Sequence, residues 1–468
     1  MNLDDAFAAI SVPPEVDTPL GVFTSRDGVP TEATVTAAYD TLDLMRGVEA
    51  FLSLVPGASM SAMRSGLRST GVTRCTQIGI TDPRLNSGTL YLTPNTDTVY
   101  GHTFLDLAEG PVVVEAPPNS LCVVDDFWFR YVTDMGLVGP DRGAGGAYLF
   151  VPPGYQDEPP DGYYVCQSPT FTNWAMFRAL GGLEDLRTVR VYPLAQADDP
   201  PVTEFVNIAD IAHSTVHAND FSFYEEVDRI VQEEPLESLD PERRGLLAAI
   251  GIVKGRPFQP DARMRRILGQ AAPLGAVIAR TLVYKPRDPD AYYYPGSSWK
   301  RAFVGGTHEF LHEGAALLDA RTALHYFATV ITPAMVAAAP GTGSQYAYTA
   351  EDSTGAWLDG ARSYRLHLPA PIPAKNFWSV CLYDCQTRSL LQTDNPYPSL
   401  GSLSGTVTSN DDDSVDVYFG PRPPTGTPEG NWIQTVPGKG WFTLLRLYGP
   451  LDPWFDQTWR PGEIEPID

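Results

Sequence analysis

The sequence predicts a β-dominated α+β protein, with two sandwich- or barrel-like β lobes separated by a helical middle region. Three observations lead there. Short runs rich in Val, Tyr, Phe and Trp, bounded by Gly, Pro, Asn and Asp, recur toward both ends of the chain, as strands joined by turns do. Between them, apolar residues recur at three and four, the period of a helix. At 468 residues the chain also exceeds the roughly 250–300 at which a single core stops growing.

Residues 1–166 open with a helix in which Val35, Ala38, Leu42, Met45, Val48, Leu52 and Val55 share a face and Pro56-Gly57 ends the run. Val112-Val113-Val114, Leu121 to Val132 and Tyr148 to Val151 then read as strands of a first β lobe. Residues 167–340 begin with a helix around Trp174 and a strand from Thr188 to Tyr192. Asp240-Pro241-Glu242 is a helix start, with a capping carboxylate and Pro in the first turn. Met264, Ile267, Leu268, Ala271, Leu274, Ile278 and Leu282 form an amphipathic stripe that Pro273 should kink. Phe310, Leu317, Leu324, Phe327 and Val330 form a later stripe. Residues 341–468 return to strands at Tyr346 to Thr349, Ser363 to Leu368, Trp378 to Tyr383, Val415 to Phe419 and Trp441 to Tyr448. Several are apolar on both faces, so this lobe should be covered by helices or by the other lobe.

Hydrophobic residues make up 43% and charged residues 19%, values of a soluble globular protein with ample core. Lys and Arg total 33 against 57 Asp and Glu, for a formal charge of −24. Such a polyanion repels phosphate backbones and anionic bilayers, so neither nucleic acid nor membrane is an expected partner. The Met1 end lacks a basic segment and no window approaches a bilayer span, which with five cysteines in no zinc or redox spacing points to a cytoplasmic protein with reduced thiols. A homo-oligomer stays open.

Thr93-Pro94-Asn95-Thr96-Asp97-Thr98-Val99-Tyr100 resembles the signature of a bacterial domain-of-unknown-function family, number twelve fifty-four. From Gly341 onward the chain is similar to its usual partner, number twelve fourteen, through Leu358-Asp359-Gly360, Phe377-Trp378-Ser379, Tyr383-Asp384, Tyr418-Phe419-Gly420-Pro421 and Pro437-Gly438-Lys439-Gly440-Trp441-Phe442. The resemblance implies two jelly-roll-like lobes with helical insertions and an enzymatic activity with no general assigned reaction. One departure is Asp413, where relatives often place Gly in a turn; Asp tolerates positive φ less well.

Five groups of residues are candidates for chemistry. Asn95, Asp97, Tyr100 and His102 combine an amide, a carboxylate and a phenol suited to general acid/base work or to ordering a metal-bound water; the structural alternative is an Asx turn. Tyr383 and Asp384 precede Arg388, which suits an ion pair or an anion-binding arginine. Lys439 stands in a tight turn with Trp432 and Trp441 on either side in sequence, able to hold a carboxylate by charge and an apolar body by aromatic faces, or to be a plain hairpin turn. His308-Glu309-Phe310-Leu311-His312 is formally a zinc-peptidase string, a divalent-metal candidate without a clear third ligand, and His213 and His217 repeat its spacing. Asn410, Asp411, Asp412, Asp413 and Asp416 make an oxygen-rich turn matching no standard calcium loop.

These residues lead to a hydrolase or related acid/base enzyme acting on a small organic substrate, anionic groups included, in a cleft between the lobes. Asp97 would be general base or metal ligand, Tyr100 proton donor, Asn95 the orienting group, and Arg388 or Lys439 the anion holder. The alternatives are a non-catalytic binding or structural protein with exposed tryptophans, and a zinc-dependent peptidase.

Overall fold

The computed structural model describes residues 2–467. The chain forms two compact units. The first contains the chain up to Leu54 with Ala218–Gln232 and Leu239–Ile278; the second contains Val55–His217, Glu233–Ser238 and everything from Ala279.

The first unit is mainly helical. Its helix Pro241–Ala249 starts as the sequence indicates, with the Asp240 carboxylate accepting from Arg243 N at 2.9 Å. The Phe51 and Phe223 rings pack tilted with centres 4.2 Å apart, and the Tyr224 hydroxyl donates to Gly47 O. Gly275 must lack a side chain, because a Cβ there would sit 2.7 Å from the Phe51 ring.

One helix runs past the proline expected to end it: Glu32–Ser69 continues through Pro56, while Ala262–Tyr284 runs through Pro273 as its stripe indicates. A helical proline costs on the order of 3 kcal/mol. In the first helix the burial of Ala58, Met60, Met63 and Leu67 beyond the proline offsets it. By length and composition alone Ala262–Tyr284 is apolar enough to cross a membrane, contrary to the expectation that no window approaches a span. It buries Ile267, Leu268, Ala271, Ala272, Ala276, Ala279 and Val283, as a core helix does.

The second unit holds two β sandwiches. In the first, a six-stranded sheet runs in the order Glu204–Asn207, Gln77–Ile80, Gly101–Asp106, Thr172–Phe177, Leu121–Asp126, Tyr131–Gly136. It packs on a four-stranded sheet in the order Tyr164–Gln167, Gly146–Val151, Val112–Ala116, Arg190–Pro193. Leu105, Val124, Met135, Phe177, Val114, Phe150 and Val191 fill the space between. The segment around Trp174 is therefore a strand and not a helix. Its run is apolar on both faces and paired on both sides, a case that periodicity cannot separate from a buried helix. The run from Leu121 to Val132 is two strands, reversed through Phe127–Arg130 with Phe129 at φ 59°. The first lobe also extends past residue 166, because Thr172–Phe177 and Arg190–Pro193 complete its sheets.

In the second sandwich a five-stranded sheet (Lys300–Arg301, Ser344–Thr349, Trp441–Pro450, Ala374–Asp384, Ser399–Gly401) faces a four-stranded one (Trp432–Gln434, Val415–Gly420, Ser363–Leu368, Ile464–Ile467). Leu366, Val380, Leu382, Val417, Trp441, Leu445 and Leu447 lie between them.

Strand side chains alternate, so each inner sheet has a second face. On the six-stranded sheet, His102, Met176, Val123 and Asp134 are in register across four strands on the face away from that core. One step beyond the paired register come Tyr100 and Arg178. On the five-stranded sheet the outward row is Tyr346, Arg446 and Ser379, with Tyr448 between Ser344 and Phe377. The strands that look apolar on both faces in the sequence supply these second faces.

Candidate active site

These outward faces wall a cavity of about 170 Å³. Tyr100, His102, Val123, Asp134, Met176 and Arg178 come from the first lobe, and Tyr346, Leu444, Arg446 and Tyr448 from the second. The segments 93–95 and 327–335 supply further wall, together with residues such as Tyr91, Ala302 and Phe303. Two lining residues, Thr93 (φ 37°) and Val330 (φ 75°), are β-branched yet hold left-handed backbone, a conformation that persists only where surrounding contacts over-determine it.

Asn95 organises one corner. Its Oδ1 accepts from Asp97 N at 3.0 Å and Thr98 N at 3.3 Å, which makes the Asx turn. Its Nδ2 donates to both the Tyr100 and the Tyr448 hydroxyl oxygens. Each phenol thus accepts through oxygen and keeps its own proton, with no acceptor for either proton among the described residues. The Arg178 guanidinium lies 5.4 Å from the Tyr448 ring centre, and its buried Nε has no partner. Burial, then the nearby Asp97 charge, pushes the Tyr448 hydroxyl well above the ordinary phenol range, so it stays a donor.

Asp134 lines the same cavity. Its Oδ2 accepts from Thr332 Oγ1 at 2.7 Å and Tyr131 Oη at 3.3 Å. Burial raises its carboxyl to about 6, although both hydroxyls oppose the shift. Neighbouring Asp125 is fully buried and its carboxyl is likewise raised by burial, with Oδ1 unpartnered and Oδ2 accepting from Ile331 N. His102 stacks on Trp174 at 5.7 Å; burial, then proximity to His213, holds it neutral with its pKa down at about 3.

The residues singled out in the sequence divide between this cavity and other places. Asn95, Tyr100 and His102 line it. Asp97 does not; its Oδ2 accepts from Ser379 Oγ at 2.8 Å. Buried Tyr383 donates to Pro94 O and accepts from Arg446 Nη1, each at 2.6 Å, and so braces the segment behind Asn95. Asp384 pairs with Lys439 and not with Arg388. Arg388 is buried, donating to Tyr326 O and Gln386 O and contacting His217 Nε2 at 3.3 Å, so it is no anion holder for this cavity. Lys439 is spent on Asp384 at a turn outside the cavity. Trp441 is buried in the sandwich core, and Trp432 donates its indole N–H to Gly420 O at 3.1 Å. Lys439 is not among the described residues that line the cavity beside Asn95 and Tyr100, and Trp441 turns to the core because it has the strand parity of Leu445 and Leu447.

His308, Glu309 and His312 do not sit on a helix. His308 and Glu309 lie in a turn and His312 in a two-residue strand, so the two imidazoles share no helix face. His308 packs edge-on against Tyr131. His213 and His217 are likewise outside any helix. Among the described residues no group of three or more His, Cys, Asp or Glu is placed to hold a metal ion. The acidic turn satisfies itself: Asp413 takes φ 64° despite its Cβ, Asn410 Nδ2 bonds Ser414 Oγ and Asp416 Oδ2, and Asp412 accepts from Ser414.

Sequence reasoning missed Asp134, Arg178, Tyr346, Arg446 and Tyr448. The available signal was polar residues alternating within apolar strands, clearest in Arg446 and Tyr448 between Leu445, Leu447 and Gly449.

Residues 76–195 match the model of a protein of unknown function (DUF1254), and residues 343–452 that of a protein of unknown function (DUF1214). No curated protein matches the chain. Among solved structures, the chain is similar to the VPA0106 protein from Vibrio parahaemolyticus, at 18% identity and a TM-score of 0.54, over 91% of this chain and 100% of that one. It is also similar to an uncharacterised protein from Burkholderia cenocepacia at 14% identity and a TM-score of 0.39, over 93% of this chain and 97% of that one. The first likeness shows a shared fold.

Proposed function

The chain belongs to the family that pairs DUF1254 with DUF1214 in that order, and from that premise we propose that it is a hydrolase-like acid/base enzyme for a small organic molecule bearing an electron-rich oxygen. One observation carries the reading. A carboxyl raised to about 6 and a corner of two proton-bearing phenols with a guanidinium line the same small, mostly apolar cavity.

Asp134 is the general base, its carboxylate abundant near neutral pH yet basic enough to accept a proton. It takes a proton from water as that water's oxygen bonds to the electrophilic carbon. The electron pair displaced onto the substrate oxygen is met by the Tyr100 and Tyr448 hydroxyls and by Arg178. Collapse breaks the bond to the leaving group, which receives the proton held on Asp134 and restores the carboxylate. Asp97 acts through its neighbours, keeping a negative charge beside Arg178 and Tyr448. The binding-module reading needs Trp432, Trp441 and Trp459 on an open surface, whereas Trp441 and Trp459 are buried and Trp432 is half-buried; Trp357 is the exposed one of these four.

The test is a panel of small carboxylic esters and amides. Asp134→Asn should lower kcat by about 10²–10⁴-fold, and kcat/KM of the parent should rise with pH through an apparent pKa near 6. Full activity in folded Asp134→Asn and Tyr448→Phe proteins would remove the assignment.

A further inference from the structure

A guanidinium shielded from water needs an anion, and Arg178 has none of its own. It lines the cavity, its Nε is buried without a partner, and the group makes no ion pair or side-chain hydrogen bond among the described residues. Asp97 acts on it through space but is not its partner, because the Asp97 carboxylate accepts from Ser379 Oγ and lines no part of the cavity. Arg446, the other guanidinium of the wall, is spent on neutral oxygens, Tyr383 Oη and Thr93 O. The charged residues lining the cavity are thus two arginines and Asp134, with His102 held neutral. A wall of net positive charge inside a chain of formal charge −24 is the reverse of what the composition would place there. Such a wall attracts and holds an anion.

The donors also outnumber what one reacting oxygen can accept. Nη1 and Nη2 of Arg178 carry four N–H groups, and the Tyr100 and Tyr448 hydroxyls keep one proton each. A planar fork of N–H groups matches the two oxygens of a carboxylate. Arg178 directly follows the strand Thr172–Phe177, while Asp134 lies on Tyr131–Gly136, two strands away in the same sheet, about 10 Å at the usual strand spacing. Resting on the reading of this cavity as the reaction site, we propose that the substrate carries a carboxylate of its own, seated on Arg178, while the oxygen that takes up charge in the reaction faces Tyr100 and Tyr448. Arg178 then serves the carboxylate through its N–H groups and the developing charge through its field. The substrate class is the small acid that also contains an ester or amide bond, and a neutral ester of the same size is a poor substitute.

Butanoate and butanamide test the pairing, being alike in size and different in charge. In calorimetric titration of the full chain at pH 7, butanoate should bind at least about tenfold tighter than butanamide, the yield of a charge-assisted hydrogen bond. Arg178→Gln keeps a donor without the charge and should remove that preference. Arg178→Lys returns the charge without the fork and should recover part of it. The parent protein supplies a second measurement that needs no variant: kcat/KM for monomethyl succinate should exceed that for dimethyl succinate by about tenfold or more. Butanamide binding as tightly as butanoate, a preference that survives in folded Arg178→Gln, or a diester hydrolysed as well as the half ester overturns this proposal. In each of those cases ester hydrolysis that disappears in Asp134→Asn keeps the cavity as the reaction site, and hydrolysis that persists there removes that reading as well.

Discussion

A carboxylate kept at about 6 by burial is a charge the fold tolerates at a cost, and Asp134 allows that cost to be measured. In the unfolded chain an aspartate titrates near 3.9. Between those values the folded protein binds more protons than the unfolded one, so the Asp134 contribution to stability falls as pH rises through the window. Above it the penalty is full, about 2–3 kcal/mol from a shift of roughly two pH units. Asn cannot ionise and can still accept from Thr332 through its Oδ1. Asp134→Asn should therefore be more stable than the parent by that amount at pH 7.5, with the gap closing toward pH 4, as read by denaturant titration at a series of pH values. A gap that stays constant with pH would mean that Asp134 titrates normally. Stability gained where activity is lost is the trade-off expected of a catalytic group.

At the scale of the element, the segment from Thr93 to Tyr100 uses one side chain for two tasks. Asn95 Oδ1 closes the Asx turn while Asn95 Nδ2 holds the two phenols. Asn95→Asp separates the tasks, because a carboxylate accepts from the turn amides but donates to nothing. We expect Asn95→Asp to fold, with a melting temperature that falls as pH rises and the buried carboxylate ionises, and to lose about tenfold or more in butanoate affinity through the added negative charge and the loosened phenols. Asn95→Ala loses both and should cost about 1–3 kcal/mol in stability. This segment was legible in the sequence because its polar residues are clustered and the turn residues announce themselves. Asp134, Arg178 and Tyr448 were not, since each is a single polar residue on a strand or just past its end and becomes meaningful only when two sheets present their second faces to one space. The same alternation, applied to Trp441, would have assigned it to the core beside Leu445 and Leu447. Ser363–Leu368 was legible to the residue because its alternating apolar side chains lie between clear turns.

At the scale of the molecule, the two sandwiches of the second unit are fastened by buried polar bonds at the cavity wall. Arg446, on the second lobe, donates to Tyr383 Oη at 2.6 Å and to Thr93 O at 2.7 Å, while Tyr383 reaches Pro94 O. Thr96 bonds Ser399 and Asp97 bonds Ser379. A guanidinium so placed cannot be removed cheaply: Arg446→Met leaves a carbonyl and a phenol oxygen without a donor in a dry interior, at about 1–3 kcal/mol for each. The loss should total about 2–5 kcal/mol and should fall on both lobes together, since each sandwich would otherwise expose an outward sheet face that includes Met176 and Val123 on one side and Leu444 on the other. Denaturant unfolding of Arg446→Met, followed by tryptophan fluorescence and far-ultraviolet circular dichroism, should shift the β-sheet transition to lower denaturant without splitting it. Two separate sheet transitions would mean that the lobes are independent and that the cavity walls are held in place by something other than this set of bonds.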